Sequence, residues 1–147
     1  MKSIWDGEAR KELRARVRGI ETTRPPAWGR MSAPQMVAHV ADSLRMAIGE
    51  VPCAPKMSPL RYPPFKQLVV YVLPFPKGVP TAPELLARAP AEWTTEVAEL
   101  EGLVERIGTR GPAGPFADHP AFGKLSGRAW GALMYKHMDH HLRQFRA

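Results

Sequence analysis

The chain has sixteen prolines, and their positions restrict its fold more than any other feature. A proline inside a helix removes a hydrogen bond, clashes with the preceding turn and costs about 3 kcal/mol. Spread evenly, sixteen would forbid long helices. Ten of them instead fall between Pro52 and Pro90, and the rest are Pro25, Pro26, Pro34, Pro112, Pro115 and Pro120. Four windows free or nearly free of proline remain, and each has an apolar repeat of helical period.

The first window spans about Gly7 to Ile20. Asp6 is its predicted N-cap, Glu8 lies in the first turn, and Ala9, Leu13, Val17 and Ile20 form its apolar stripe. The second spans about Ala33 to Gly49. Ser32 and Gln35 form a capping box, Pro34 is tolerated in the first turn, and Met36, Val37, Val40, Leu44 and Ala47 face inward. The third spans about Ala91 to Ile107, with Trp93, Val97, Leu100, Val104 and Ile107 as its stripe and Gly108 and Gly111 as stops. The fourth spans about Gly127 to Phe145 behind a Ser126 cap, with Trp130, Leu133, Met134, Met138 and Phe145 inward.

A proline-rich crossover of about 40 residues joins the second and third windows. Lys66–Leu73 (KQLVVYVL) fits a short helix or a strand, since periodicity does not separate them in so short a run. Thr81 and Glu84 form a second capping box, predicting a short helix over Pro83–Arg88. These features predict one all-α domain, residues 1–147: a four-helix bundle with one long crossover that covers a side or end of it.

Composition narrows the function. The single cysteine, Cys53, excludes an intrachain disulfide and a cysteine-based zinc site. No apolar run reaches the roughly 18 residues of a membrane span. MKSIWDGEAR turns polar too early for a signal peptide, so the expected setting is cytoplasmic, with no membrane partner. The net charge is +7, and seven of the 21 cations lie between Arg10 and Arg30. Arg10, Lys11, Arg14, Arg16 and Arg18 surround the first helix instead of sharing one face, and no nucleic-acid recognition motif accompanies them. The pattern argues against a nucleic-acid partner. A homodimer is compatible with a small bundle, although the sequence displays no clear exposed apolar stripe.

The informative residues are the histidines: His39, His119, His137, His140 and His141. With about 100° per residue measured from Trp130, His141 falls near ~20° and His137 near ~−20°, in the middle of the apolar face. His140 falls at its edge, and Asp139 on the opposite side, toward solvent. Two inward imidazoles one turn apart are costly to bury without partners. Either they are hydrogen-bonded core groups, or they hold a divalent metal with His39 of the second helix as third ligand. Zinc, nickel and iron(II) all accept three imidazoles. His140, Gln144 and Asp42 are candidates to orient the ligands, because ligating imidazoles donate their second N–H to a neighbour. Trp28, Met31, Met36, Met46, Trp130 and Met134 could wall an apolar pocket, with His119 at its mouth. Cys53, in a proline-rich loop with no histidine nearby in sequence, is a poor nucleophile candidate.

Trp28–Glu50 (WGRMSAPQMVAHVADSLRMAIGE), Pro74–Leu86 (PFPKGVPTAPELL) and His119–Phe145 (HPAFGKLSGRAWGALMYKHMDHHLRQF) together resemble an uncharacterised branch of the DinB-like superfamily of metalloenzymes. The resemblance implies a four-helix bundle with three metal-binding histidines, matching His39 on the second helix and His137 and His141 on the fourth. It further implies a metal-dependent enzyme acting on a small molecule, since the superfamily includes transferases that use a low-molecular-weight thiol and isomerases with a thiol cofactor; a three-histidine metal would by its own chemistry equally support a hydrolase. The superfamily ending His-x-Gly-Gln has Arg143 in place of glycine here. The competing expectation is a non-enzymatic basic helical protein that binds nucleic acid or another protein.

Overall fold

Each of the four windows forms a long helix in the computed structural model, which describes residues 1–147. The fold is all-helical. It contains α1 (Gly7–Arg18), α2 (Ala33–Ala47), α3 (Phe65–Gln67), α4 (Trp93–Arg110) and α5 (Gly127–Gln144), and no strand. The count is therefore five α-helices against the four expected, because the crossover adds the short α3. The undecided Lys66–Leu73 run is helical: α3 passes directly into a π turn, Leu68–Val72.

The start signals act as the sequence predicts. Asp6 accepts from the Glu8 N–H, Ser126 accepts from the Ala129 N–H, and Ser32 and Gln35 close a reciprocal capping box. The second predicted box does not form. Pro83–Leu85 is a single 3-10 turn capped by Ala82, and Glu84 instead accepts from the Ala54 N–H.

The long helices pack as a ring, α1 and α2 each lying between α4 and α5. The core fills the centre with Leu13, Val17, Met36, Val37, Leu100, Ile107, Met138 and Phe145. Each such side chain contributes about 1.5–3 kcal/mol on burial. In α2, every residue from Met36 to Leu44 is buried, so this helix is covered on all sides.

The predicted stripe of α4 is rotated. Trp93 and Val97 are only half-buried, whereas Glu96 and Leu103 are buried with Leu100, Val104 and Ile107. Gly108 lies within this helix and does not end it. A Cβ there would come within 2.4 Å of the Arg10 guanidinium, so the missing side chain makes room for α1. The helix ends at Gly111, whose φ of 71° suits glycine.

Asp139 does not face solvent either. It pairs with Arg16 of α1 at 2.8 Å and with Arg143 at 3.0 Å, because α5 is flanked by α1 as well as α2. The crossover also presents the apolar stripe that the sequence did not display, with Phe65, Leu68 and Val72 exposed at i, i+3 and i+7. No helix is long and apolar enough to cross a membrane.

Candidate metal centre

α2 and α5 bring three imidazoles together. His39 comes from the middle of α2, and His137 and His141 from successive turns of α5. Nε2 of His137 lies 3.2 Å from Nε2 of His39 and 3.1 Å from Nε2 of His141. The three ligand atoms all lie within 4.8 Å of one another. Nitrogens bound at about 2.0–2.1 Å to one tetrahedral ion would stand about 3.3 Å apart.

The second nitrogen of two of these rings fixes where the protons are. His39 Nδ1 lies 3.3 Å from the Leu85 carbonyl, which can only accept, so Nδ1 carries the hydrogen. His141 Nδ1 lies 2.9 Å from Gln144 Oε1. The Gln144 amide is itself oriented by donating from Nε2 to the Trp28 carbonyl at 2.8 Å, so its Oε1 accepts and His141 Nδ1 donates. Both Nε2 atoms therefore present lone pairs to His137 Nε2, which carries one hydrogen at most. Three nitrogens converge with fewer protons than hydrogen bonding among them requires. A cation satisfies all three, and the donor set fits a divalent metal.

Electrostatics keep the rings neutral. Burial lowers the pKa of His39, and burial with the neighbouring imidazoles drives His137 well below the usual histidine range. His141 is lowered to about 3, again mainly by burial. Each is thus deprotonated and able to ligate at neutral pH.

Of the predicted orienting residues, Gln144 contacts a ring of the cluster. Asp42 does not, since its carboxylate receives Arg45 at 2.7 Å and Arg88 at 3.1 Å. His140 lies edge-on to Trp28 and Phe75, with ring centroids 5.5 Å and 6.0 Å away. The carbonyl of Leu85 was not foreseen, because no side-chain pattern marks a backbone acceptor.

The imidazoles line a cavity of about 1040 Å³. Trp28, Met31, Met46, Trp130, Met134 and His119 line it, whereas Met36 belongs to the closed core. The crossover supplies a large share of the wall, including Leu60, Val69, Phe75, Val79 and Leu85. Lys136, beside His137, anchors that wall by donating to the carbonyls of Val69 and Val70 at 2.6 and 3.1 Å and of Leu73 at 2.5 Å. Cys53 is half-buried outside the cavity lining, and burial pushes its thiol pKa up.

The basic residues of α1 are largely spent on ion pairs. Arg10 and Arg14 meet Glu105, Arg16 meets Asp139, and Arg18 meets Glu101. They form no continuous cationic face.

Fold and site together define an all-helical protein with a buried three-histidine cluster able to hold a metal ion beside a large apolar cavity. The chain belongs to the family described as protein of unknown function (DUF1569), which it matches over residues 8–147. No curated protein and no solved structure matches it.

Proposed function

We propose that the protein is a metal-dependent enzyme of the DinB-like superfamily, a four-helix bundle acting on a small molecule as a thiol-dependent transferase or a hydrolase. The observation that carries this reading is the convergence of the lone pairs of His39 and His141 on His137 at the wall of an open cavity. A structural site closes its coordination with four protein ligands, whereas three leave a position for substrate.

The chain's residues divide the work. His39, His137 and His141 hold the ion as neutral donors, so none of its charge is cancelled by ligands. The Leu85 carbonyl and Gln144 keep two rings in the required tautomer and orientation. Trp28, Phe75, Leu133 and Met134 line the adjoining space, where an apolar wall strengthens electrostatic interactions with a bound substrate. A divalent ion there supplies Lewis acidity, which lowers the pKa of a water or thiol toward neutrality. The low-molecular-weight thiol is the co-substrate the superfamily resemblance suggests, and zinc, nickel and iron(II) are the ions the donor set accepts.

The test is metal content. Untagged protein, purified and reconstituted in turn with Zn(II), Ni(II) and Fe(II), is expected to hold about one ion per chain. His137→Ala and His141→Ala are expected to lose it, and His140→Ala to retain it. A folded wild-type chain that binds none of the three ions would overturn the proposal.

A further inference from the structure

The cavity has a second built feature besides the three imidazoles. His119 opens a tight loop closed by reciprocal backbone hydrogen bonds with Gly123, at 2.9 and 2.7 Å. Its Nδ1 accepts from the N–H of Ala121 at 3.1 Å and of Phe122 at 3.2 Å. Two donors pointing at one ring nitrogen leave no place for a hydrogen there, so the hydrogen of the neutral ring is on Nε2. Burial holds the ring neutral, with its pKa lowered to about 4. Phe122 and Trp130 fix the ring plane, their centroids 4.8 and 5.5 Å away. Nε2 has no protein partner, and His119 lines the cavity.

The rest of the lining has one electrostatic character. It contains no aspartate and no glutamate, and its charged members are Arg30, Lys56 and Arg88. Arg88 is committed to Asp42 and Glu96, whereas Arg30 and Lys56 are exposed at the rim and make no ion pair. Glu84, which Lys56 attracts without an ion pair, accepts from the Ala54 N–H and lies outside the lining. About half of the remaining wall is hydrophobic. A chamber with a fixed N–H donor, rim cations, apolar walls and no anion selects an apolar molecule carrying an oxyanion.

We propose that His119 is a substrate-binding residue that donates its Nε2–H to the carboxylate of a largely apolar acid held in this cavity. This rests on reading the cavity as the substrate chamber and deepens the proposed function by naming a substrate class.

Three probes of one shape test it: 4-phenylbutyrate, 4-phenylbutanol and 4-phenylbutylamine, titrated by calorimetry into metal-stripped protein so that no ion can capture the carboxylate. The acid is expected to bind about ten-fold or more tightly than the alcohol and the amine, the range of one charge-assisted hydrogen bond. His119→Asn, whose side-chain oxygen can still accept from the loop amides, is expected to lose that preference. His119→Gln, whose amide can reach the Nε2 position, is expected to keep most of it. Equal binding of the three probes by wild-type protein, or an undiminished acid preference in folded His119→Asn, would overturn the proposal. Metal stoichiometry is read separately. A chain that keeps the preference but takes no metal would sink the metalloenzyme reading alone, and one that takes metal without the preference would sink this inference alone.

Discussion

Gln144 shows how much one side chain can hold in place. It accepts from His141 and donates to the Trp28 carbonyl, tying α5 to the segment before α2. The contact depends on Gly29, whose φ is 76° and where a Cβ would lie 2.8 Å from Gln144 Nε2. Gln144→Leu is expected to weaken metal affinity by about 10–100-fold while leaving stoichiometry at saturating metal unchanged, as a competition titration with a chromophoric chelator would measure. His119 carries a different signature. Its pKa is about 4 when folded and near 6.5 when unfolded. The unfolded chain therefore binds more protons in this window. The contribution of His119 to stability is complete above about pH 6.5 and is lost as pH falls through 4. The loss amounts to about 3 kcal/mol. Urea unfolding between pH 7 and pH 4 is expected to show a shallower decline for His119→Asn than for wild type. Parallel curves would refute that assignment.

Among the elements, the crossover does more than connect. Arg88 reaches from it to Asp42 of α2 and, through a bidentate pair, to the fully buried Glu96 of α4. The same segment carries Leu85, whose carbonyl receives His39. Removing Arg88 leaves the fully buried Glu96 without its paired cation, while Asp42 keeps Arg45. Arg88→Met is expected to cost about 3 kcal/mol, at the low end for a broken buried pair because Arg88 is itself partly exposed. A denaturant midpoint within error of wild type would contradict this. The sequence reading missed the network for a definite reason. Glu96 interrupts the apolar stripe of α4, and a stripe is fitted by skipping charged positions. The partner that makes its burial affordable lies eight residues upstream, in a segment without periodicity. The long helices were legible because prolines, caps and stripes agreed on them. The Thr81 cap was not, because Pro83–Leu85 turns too briefly for the cap to complete a helix.

At the scale of the whole molecule, the helical wheel of α5 could place His137 and His141 together, since one regular element carries both. It could not show that Asp139 faces a neighbour, because a wheel knows one helix and Asp139 meets α1. Nor could it reveal the cavity, much of whose wall comes from proline-rich chain with no period to read. The charge excess also changed meaning, as the arginines of α1 serve to join α1 to α4 and α5. His39 and His137 are 98 residues apart in sequence and 3.2 Å apart in space. An ion shared between them would close two-thirds of the chain into a ring, with α3, α4 and the entire crossover inside it. Such a clasp favours the folded state by mass action, by about 2.7 kcal/mol when free metal exceeds its dissociation constant a hundred-fold. For a chain of this size that corresponds to about 5–10 °C in Tm. Calorimetric scans with zinc and with a chelator are expected to differ by this amount in wild type and to coincide in His137→Ala. The metal would then act as a fastener of the fold as well as a reagent of the site.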